Sequence, residues 1–217
     1  MFATVDRKAG RSGITCFVVE GRPPGLTVAK KENKMGQRAS DTCMLHFDGV
    51  RVPEANRIGA EGEGFKIAMA TLDNSRPLTA IMSVGIARAA LEHATAYARE
   101  RKQFGRAIAE FEAIQFMLAD MATDIEAARL LTYKAAWLLD AGERNTLVSS
   151  HAKRFAADMA MRVTTDAVQL FGAAGYSVET GVERLMRDAK GAQIYEGTNQ
   201  IHRLIVAEHL LARSGSG

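Results

Sequence analysis

The sequence predicts a mainly α chain: an antiparallel helical bundle preceded by part of a small β-domain. Three observations carry this. The hydrophobic period changes from two to helical near Gly62. The segments after that point are long, amphipathic and joined by short connections, which is the pattern of a bundle. Only about three to five short strands fit into the first sixty residues, and a sheet that small needs a partner face to be stable. The expected division is a partial β-domain over 1–60 and a helical bundle over 61–217.

In the β part, Ile14-Thr15-Cys16-Phe17-Val18-Val19 is rich in β-branched and aromatic residues and ends at Gly21 and Pro23-Pro24-Gly25. Residues Cys43 to Asp48 alternate with period two. Asp48-Gly49 is a turn signal, and Val50-Arg51-Val52-Pro53 reads as a short edge strand closed by proline. The run Lys30-Lys31-Glu32-Asn33-Lys34 reads as a solvated face.

In the helical part, Phe65, Met69 and Leu72 share a face. Pro77 predicts a break near Arg76. The stripe then resumes at Ile81, Val84, Ile86, Ala89 and Ala90, up to about Arg101, with Gly105 as a stop. A second helix carries Ile114, Met117, Leu118, Met121, Ile125, Ala128 and Leu131 and ends near Gly142. A third carries Leu147, Phe155, Met159, Val163, Ala167 and Leu170 and ends at Gly172. A short fourth helix is expected from a capping box at Thr180-Gly181-Val182-Glu183. A fifth is expected after Thr198, a good N-cap, with Ile201, Leu204, Ile205 and Leu211. The methionines Met117, Met121 and Met159 read as bundle core rather than a binding box. Ser214-Gly215-Ser216-Gly217 reads as a frayed end.

Composition bounds the function. The chain has 217 residues, 47% hydrophobic and 24% charged, which excludes disorder as the main state. Its 28 basic and 25 acidic residues leave a net charge of +3, a weak argument for nucleic acid. Two cysteines, Cys16 and Cys43, exclude a disulfide scaffold and a four-thiolate zinc site. No targeting signal is visible, and the longest mostly apolar stretch, Pro77 to Ala87, is too short to span a bilayer; a soluble protein is expected. His202 and His209 are seven apart and share a helix face, but they lack a third ligand at usable spacing, so no metal is expected. Neither a P-loop, a GxSxG nor a CxxC is present.

Two segments carry candidate chemistry. In Ile194-Tyr195-Glu196-Gly197-Thr198-Asn199-Gln200, a carboxylate stands just before a helix N-terminus, beside a glycine that permits close backbone approach. The plain alternative is a solvated loop carboxylate near a helix dipole. In Arg101-Lys102-Gln103-Phe104-Gly105, a cation, an amide and an aromatic suit a phosphate joined to a flat ring. The alternative there is a cationic cap on a helix end.

Together these segments resemble the acyl-CoA dehydrogenases, closest to the medium-chain type. The likeness lies in Lys34-Met35-Gly36-Gln37-Arg38 with Ser40-Asp41-Thr42, in Val52-Pro53, and in Gly62-Glu63-Gly64-Phe65-Lys66-Ile67-Ala68. It continues in Asp73 with Arg76-Pro77, in Glu100 to Gly105, and in Gln169-Leu170-Phe171-Gly172 with Gly175-Tyr176. Leu185-Met186-Arg187-Asp188 and Tyr195-Glu196-Gly197-Thr198 with Gln200-Ile201 complete it. The order is collinear over nearly the whole chain. It corresponds to the later part of the family's β-domain and its C-terminal bundle, while the family's front segments have no counterpart here. Ala173 departs from the Gly or Ser usual in the family's turn.

The resemblance implies a flavin-dependent α,β-dehydrogenation of acyl-CoA thioesters with FAD as cofactor. It implies that Glu196 is the catalytic base. The alternative position for a base in some members corresponds to Ser75, which cannot serve. It implies that Asp73, Arg76, Tyr195 and Gly197 meet the substrate, with a helix-end ion pair as the alternative reading of Asp73 and Arg76. It implies that Arg101, Gln103 and Phe104 bind FAD across a subunit interface. Gln169, Gly172 and Ala173 would touch the same cofactor from another side, and Thr198 and Gln200 would hold FAD from the last helix. The implied partners are an acyl-CoA substrate, an electron-transfer flavoprotein as acceptor and further copies in a dimer or tetramer. The implied compartment is the cytoplasm in a bacterium or the mitochondrial matrix in a eukaryote. Two other readings stand beside this one: a helical oligomerisation module without turnover, and an acyl-CoA oxidase that uses the same base.

Overall fold

The computed structural model describes residues 1–213; the tail read as a frayed end lies outside the described residues. The chain divides into two compact units: Met1–Lys34 with Arg38–Leu72, and Met35–Gln37 with the chain from Asp73 onward.

The first unit contains five short strands: β1 (Phe2–Thr4), β2 (Ile14–Phe17), β3 (Leu26–Lys31), β4 (Cys43–Phe47) and β5 (Arg57–Ile58). They form an antiparallel sheet in the order β1-β2-β5 and a separate β3-β4 hairpin. Cys16 pairs with Phe2 on one side and Ile58 on the other. The expected edge strand at Val50–Pro53 does not form. The chain there makes a 3-10 turn at Glu54–Asn56 and pairs one step later, through Arg57 and Ile58. Pro53 has no N–H to give a ladder, so pairing waits until the chain has turned past it. Lys30 and Lys31 are solvated as expected, yet they lie in β3, tied to Glu32 and Asp41. On the hairpin Val28, Met44, Leu45 and Phe47 stay exposed.

The helix α1 runs over Gly64–Glu100 without interruption, so the break expected at Pro77 is absent. A proline inside a helix frees the carbonyl four residues earlier, here that of Asp73. Two side chains at the start of another helix replace the missing donor: Asn145 Nδ2, from its N-cap, at 3.2 Å and Ser149 Oγ, from its first turn, at 3.3 Å. The cost that ends most helices at proline is therefore offset by tertiary hydrogen bonds.

Past α1 the chain makes a tight hairpin, β6 (Lys102–Gln103) and β7 (Arg106–Ala107), then α2 (Glu112–Asp140), α3 (Thr146–Phe171) and the single turn α4 (Ala173–Tyr176). It ends with α5 (Val182–Ala192) and α6 (Asn199–Arg213). α3 is central and lies against α2, α5 and α6. The short connection from α2 to α3 makes them antiparallel neighbours.

The core differs in character from the stripe predicted for α1. Its buried seam is Ala80, Val84, Ala87, Ala90, Ala94 and Ala98, while Ile81 faces out. α3 buries Ala152, Ala156, Ala160 and Ala167. Seams of alanine let helix axes approach closely, and the larger Met121, Ile125, Met159 and Val163 fill the remaining space. The methionine stripe is thus core, as expected. Buried hydroxyls of Ser83, Thr132 and Thr164 donate to carbonyls four residues earlier, which leaves no unpaired polar group at those points.

The capping box expected at Thr180 does not form. Gly181 occupies the N-cap of α5 at φ 70, and Thr180 turns back to donate to Ala174 and Ser177 carbonyls. Glu183 instead forks onto Arg187. The expected cap on α6 does form, with Thr198 Oγ1 accepting from the Ile201 N–H at 3.4 Å. Among the described residues no helix is long and apolar enough to cross a membrane.

Candidate active site

The turn joining α5 to α6 collects side chains from α1, α3, α6 and the segment Met35–Gln37. Glu196 has φ 58 and Gly197 φ 86, so the backbone is left-handed at two successive residues. Glycine takes this conformation freely, but glutamate rarely does. The Glu196 carboxylate accepts a hydrogen bond from Ser75 Oγ at 2.5 Å, over a separation of 121 residues. Its own N–H meets no acceptor among the described residues.

Two buried donors hold the carbonyls of this turn. Lys153 of α3 is 0% exposed, and its ammonium donates to the Gly197 carbonyl at 2.6 Å and to Asn199 Oδ1 at 3.2 Å. Burial, then the charge of Arg76, pushes the Lys153 ammonium down to about 8. His202 of α6, also 0% exposed, meets the Glu196 carbonyl through Nε2 at 3.2 Å. A carbonyl can only accept, so Nε2 carries the hydrogen. Nδ1 has no partner, which suits a neutral ring. Burial, then Lys153 and Arg76, lowers the imidazole to about 4. Asn199 completes the floor by donating to Asp158 Oδ1 at 2.7 Å and to the Arg154 carbonyl.

Tyr195 is fixed from the other side. Gln37 Nε2 donates to its hydroxyl at 2.8 Å and to the Asp188 carbonyl at 3.1 Å, and the Gln37 N–H donates to Asp188 Oδ1. Gly36 makes this contact possible, because a Cβ there would lie 2.1 Å from the Arg187 carbonyl oxygen. The phenol in turn donates to Met82 Sδ at 3.8 Å. Burial raises the Tyr195 hydroxyl above its ordinary range.

Asp73 and Arg76 form an ion pair of 2.7 Å one turn along α1, and Thr146 donates to the second Asp73 oxygen at 2.6 Å. An ion pair is therefore present, but in the middle of a helix rather than at its end, because α1 continues through Pro77; Arg76 is 5% exposed. The pairing of His202 with His209 is not: His202 is buried on the Glu196 carbonyl while His209 faces solvent.

The expected cofactor residues fall into two places. Arg101, Gln103 and Phe104 are exposed at the β6–β7 hairpin, where Phe104 sits at φ 52 with 92% of its surface in solvent. This segment is a hairpin tip rather than a helix cap. Gln169, Gly172 and Ala173 are exposed at the end of α3, and stacking of Tyr97 on Phe171 at 4.1 Å brings the end of α1 to that same end of the bundle. Thr198 and Gln200 lie with Glu196 instead. From Lys153, beneath that turn, to Gln169 is about 24 Å along α3.

Glu196, Tyr195, Gly197 and Thr198 are legible in the sequence; Gln37 enters only within the family resemblance, His202 only as one of a histidine pair short of a third ligand, Ser75 only as a residue unable to act as base, and Lys153 not at all. Lys153 did leave a signal. It stands at helical spacing between Ser149 and Ala156-Ala157, a lone cation in a stripe of small residues.

Residues 62–211 match the acyl-CoA dehydrogenase C-terminal domain family. An acyl-CoA dehydrogenase of Bacillus subtilis is 53% identical over 210 residues, which are 97% of this chain and 55% of that protein. Among solved structures, butyryl-CoA dehydrogenase from Megasphaera elsdenii superposes with a TM-score of 0.95 at 51% identity, covering 97% of this chain and 55% of that one. A chain in the structure described for the electron transferring flavoprotein of Acidaminococcus fermentans gives 0.96 at 51% identity, covering 97% and 56%. The chain spans about half the length of the relatives it matches. It belongs to the acyl-CoA dehydrogenase family, of which residues 62–211 form the C-terminal domain.

Proposed function

We propose that this chain carries the catalytic base of a flavin-dependent acyl-CoA dehydrogenase, and that the base is Glu196. The observation that supports this most directly is the carboxylate itself: it stands on a left-handed turn and is oriented by a serine hydroxyl from α1. A strained non-glycine backbone persists only where the surroundings over-determine it, and such positions cluster at functional sites.

The α-proton of a thioester is weakly acidic, so a carboxylate must meet it within hydrogen-bond reach. Glu196 takes that proton, and Ser75 fixes the oxygen that does not receive it. The negative charge that develops on the thioester oxygen needs a donor, and the unpaired N–H of Glu196 is available for it. Tyr195 and Gly197 line the thioester. Asp73, the more exposed member of its ion pair, meets the pantetheine, with Arg76 orienting it.

FAD, when bound, supplies the acceptor for the β-hydride. The residues present suit it. Arg101 and Phe104 offer a cation and an open aromatic face on one hairpin: Phe104 is held at positive φ with 92% of its surface in solvent, touching Phe111 only edge to face at 6.2 Å. Gln103, Gln169, Gly172 and Ala173 join them at that end of the bundle. Thr198 and Gln200 would hold a cofactor at the Glu196 end, so the two groups serve cofactors bound to different copies of the chain. Reoxidation by an electron-transferring flavoprotein completes this reading.

The test is Glu196→Gln in the FAD-loaded protein, with butyryl-CoA as the thioester. Exchange of the C2 proton with solvent should fall by at least about 10²-fold, the usual contribution of a positioned base, while flavin absorption is unchanged. Retained exchange would remove Glu196 from the mechanism. Failure of the wild-type chain to take up flavin at all would favour the module without turnover.

A further inference from the structure

The turn that presents Glu196 rests on two titratable side chains that the mechanism does not use. We propose that Lys153 and His202 are positioning residues for the base: Lys153 Nζ and the Nε2–H of His202 clamp the carbonyls of Gly197 and Glu196 and so fix the left-handed turn that aims the carboxylate. The inference rests on Glu196 being the base.

The geometry carries it. Two consecutive carbonyls, those of residues 196 and 197, point down onto two separate donors, one from α3 and one from α6. These carbonyls belong to the peptide planes on either side of Gly197, so holding both oxygens sets the rotation of the chain between them. Lys153 also grips Asn199 Oδ1 at the first residue of α6. The contact is close, since a Cβ on Gly197 would lie 3.4 Å from His202 Nε2.

Wholly buried lysine and histidine side chains are costly unless their hydrogen bonds repay desolvation. Here the hydrogen bonds of the Lys153 ammonium and the His202 ring go to residues 196–199. A lysine kept only to stabilise the bundle would be better replaced by an apolar residue of its size. The charged groups around the pair are Arg76 of α1, Asp158 of α3 and Glu196 itself. Arg76 repels the Lys153 ammonium, whereas Asp158 and Glu196 favour it. Neutral His202 can donate to only one carbonyl, and Lys153 supplies the other.

The experiment compares wild type, Lys153→Met, His202→Leu and His202→Gln. Glutamine keeps an N–H donor at nearly the same reach; leucine keeps the volume without it. Two quantities are read: the C2-proton exchange rate and dissociation constant of butyryl-CoA in the FAD-loaded protein, and the hydrogen-exchange rate of the Asn199 amide, which bonds across the same turn to the Gln193 carbonyl. In Lys153→Met and His202→Leu, C2-proton exchange should fall at least about tenfold with the dissociation constant within about threefold, a loss of about 1.4 kcal/mol in the transition state alone. Asn199 amide exchange should quicken by about tenfold in both. His202→Gln should stay within about threefold of wild type on each measure. Amide exchange unchanged in Lys153→Met and His202→Leu overturns the clamp, and so does a quickened amide with C2-proton exchange intact. If Lys153→Met does not fold, the leucine and glutamine pair decides. Loss of the base reading shows separately, as C2-proton exchange that survives Glu196→Gln while the amide still responds to the clamp variants.

Discussion

At the scale of single residues, the chemistry of the site depends on where protons are absent. His202 is neutral because its ring is sealed among Lys153, Arg76 and backbone, and because a second ring proton at Nδ1 would meet no acceptor. This has a consequence for stability. The imidazole titrates near 6.5 when unfolded and at about 4 in the fold, so between those values the unfolded chain binds the extra proton and the native chain does not. Its contribution is therefore complete above pH 6.5 and is lost as pH falls through 4. Urea denaturation from pH 7 to pH 4 should show wild type losing more stability than His202→Gln over that window; parallel curves would show that the ring is not sealed. Lys153 works on the other side of neutrality. Its ammonium loses a proton near 8 in the fold but near 10.5 unfolded, so the cost of burying its charge is relieved as pH rises between those values.

At the scale of elements, α1 shows how tertiary contacts overrule a local rule. Pro77 breaks the helical ladder, and the sequence alone predicts a broken helix. Asn145 and Ser149 meet the freed Asp73 carbonyl and keep α1 continuous, which also keeps Ser75 and Arg76 in register for the site. The two features should be coupled. Asn145→Ala in the wild type should cost about 1–3 kcal/mol, the usual penalty for a buried group left short of a partner. In a Pro77→Ala background the restored N–H of residue 77 can serve the same carbonyl, so the cost should shrink by about 1 kcal/mol. A double-mutant cycle by urea denaturation measures this, and an additive result would remove Asn145 from the account of the unbroken helix. The hairpin after α1 is a second case. Lys102 to Ala107 lacks the alternating run that marks strands, and the turn is set by positive φ at Phe104 and Gly105.

At the scale of the molecule, the exposed apolar surface calls for company. Leu130, Tyr133 and Trp137 of α2 are each more than half exposed and recur at i, i+3 and i+7, a single helix face. Apolar patches of this kind mark association surfaces, and the wide separation of the two groups of residues proposed to bind the cofactor points the same way. We expect copies of the chain to pack through this face. Leu130→Lys with Trp137→Lys should shift the mass seen by light scattering to a smaller species. In the wild type the emission of Trp137, the sole tryptophan, should move to the red on dilution. A constant mass in the double variant would exclude this face as the interface.

The sequence by itself determined the family and the helical order and singled out Glu196 as the proposed base, because each is written in contiguous residues: amphipathic stripes, glycine stops and the Tyr195–Thr198 turn. What only the tertiary structure decided is how the Glu196 turn is held. Ser75, Gln37, Lys153 and His202 are far apart in the chain, and none has a local pattern that names its partner. Burial makes them matter: away from water, each donor must find an acceptor, and the acceptors within reach belong to the turn or its supports. Most of the alanines buried along α1 and α3, Ala90 and Ala167 apart, escape the periodic reading for a related reason. Alanine contributes little hydrophobic signal to a periodic stripe, and its role emerges only where two helices come close enough to exclude anything larger.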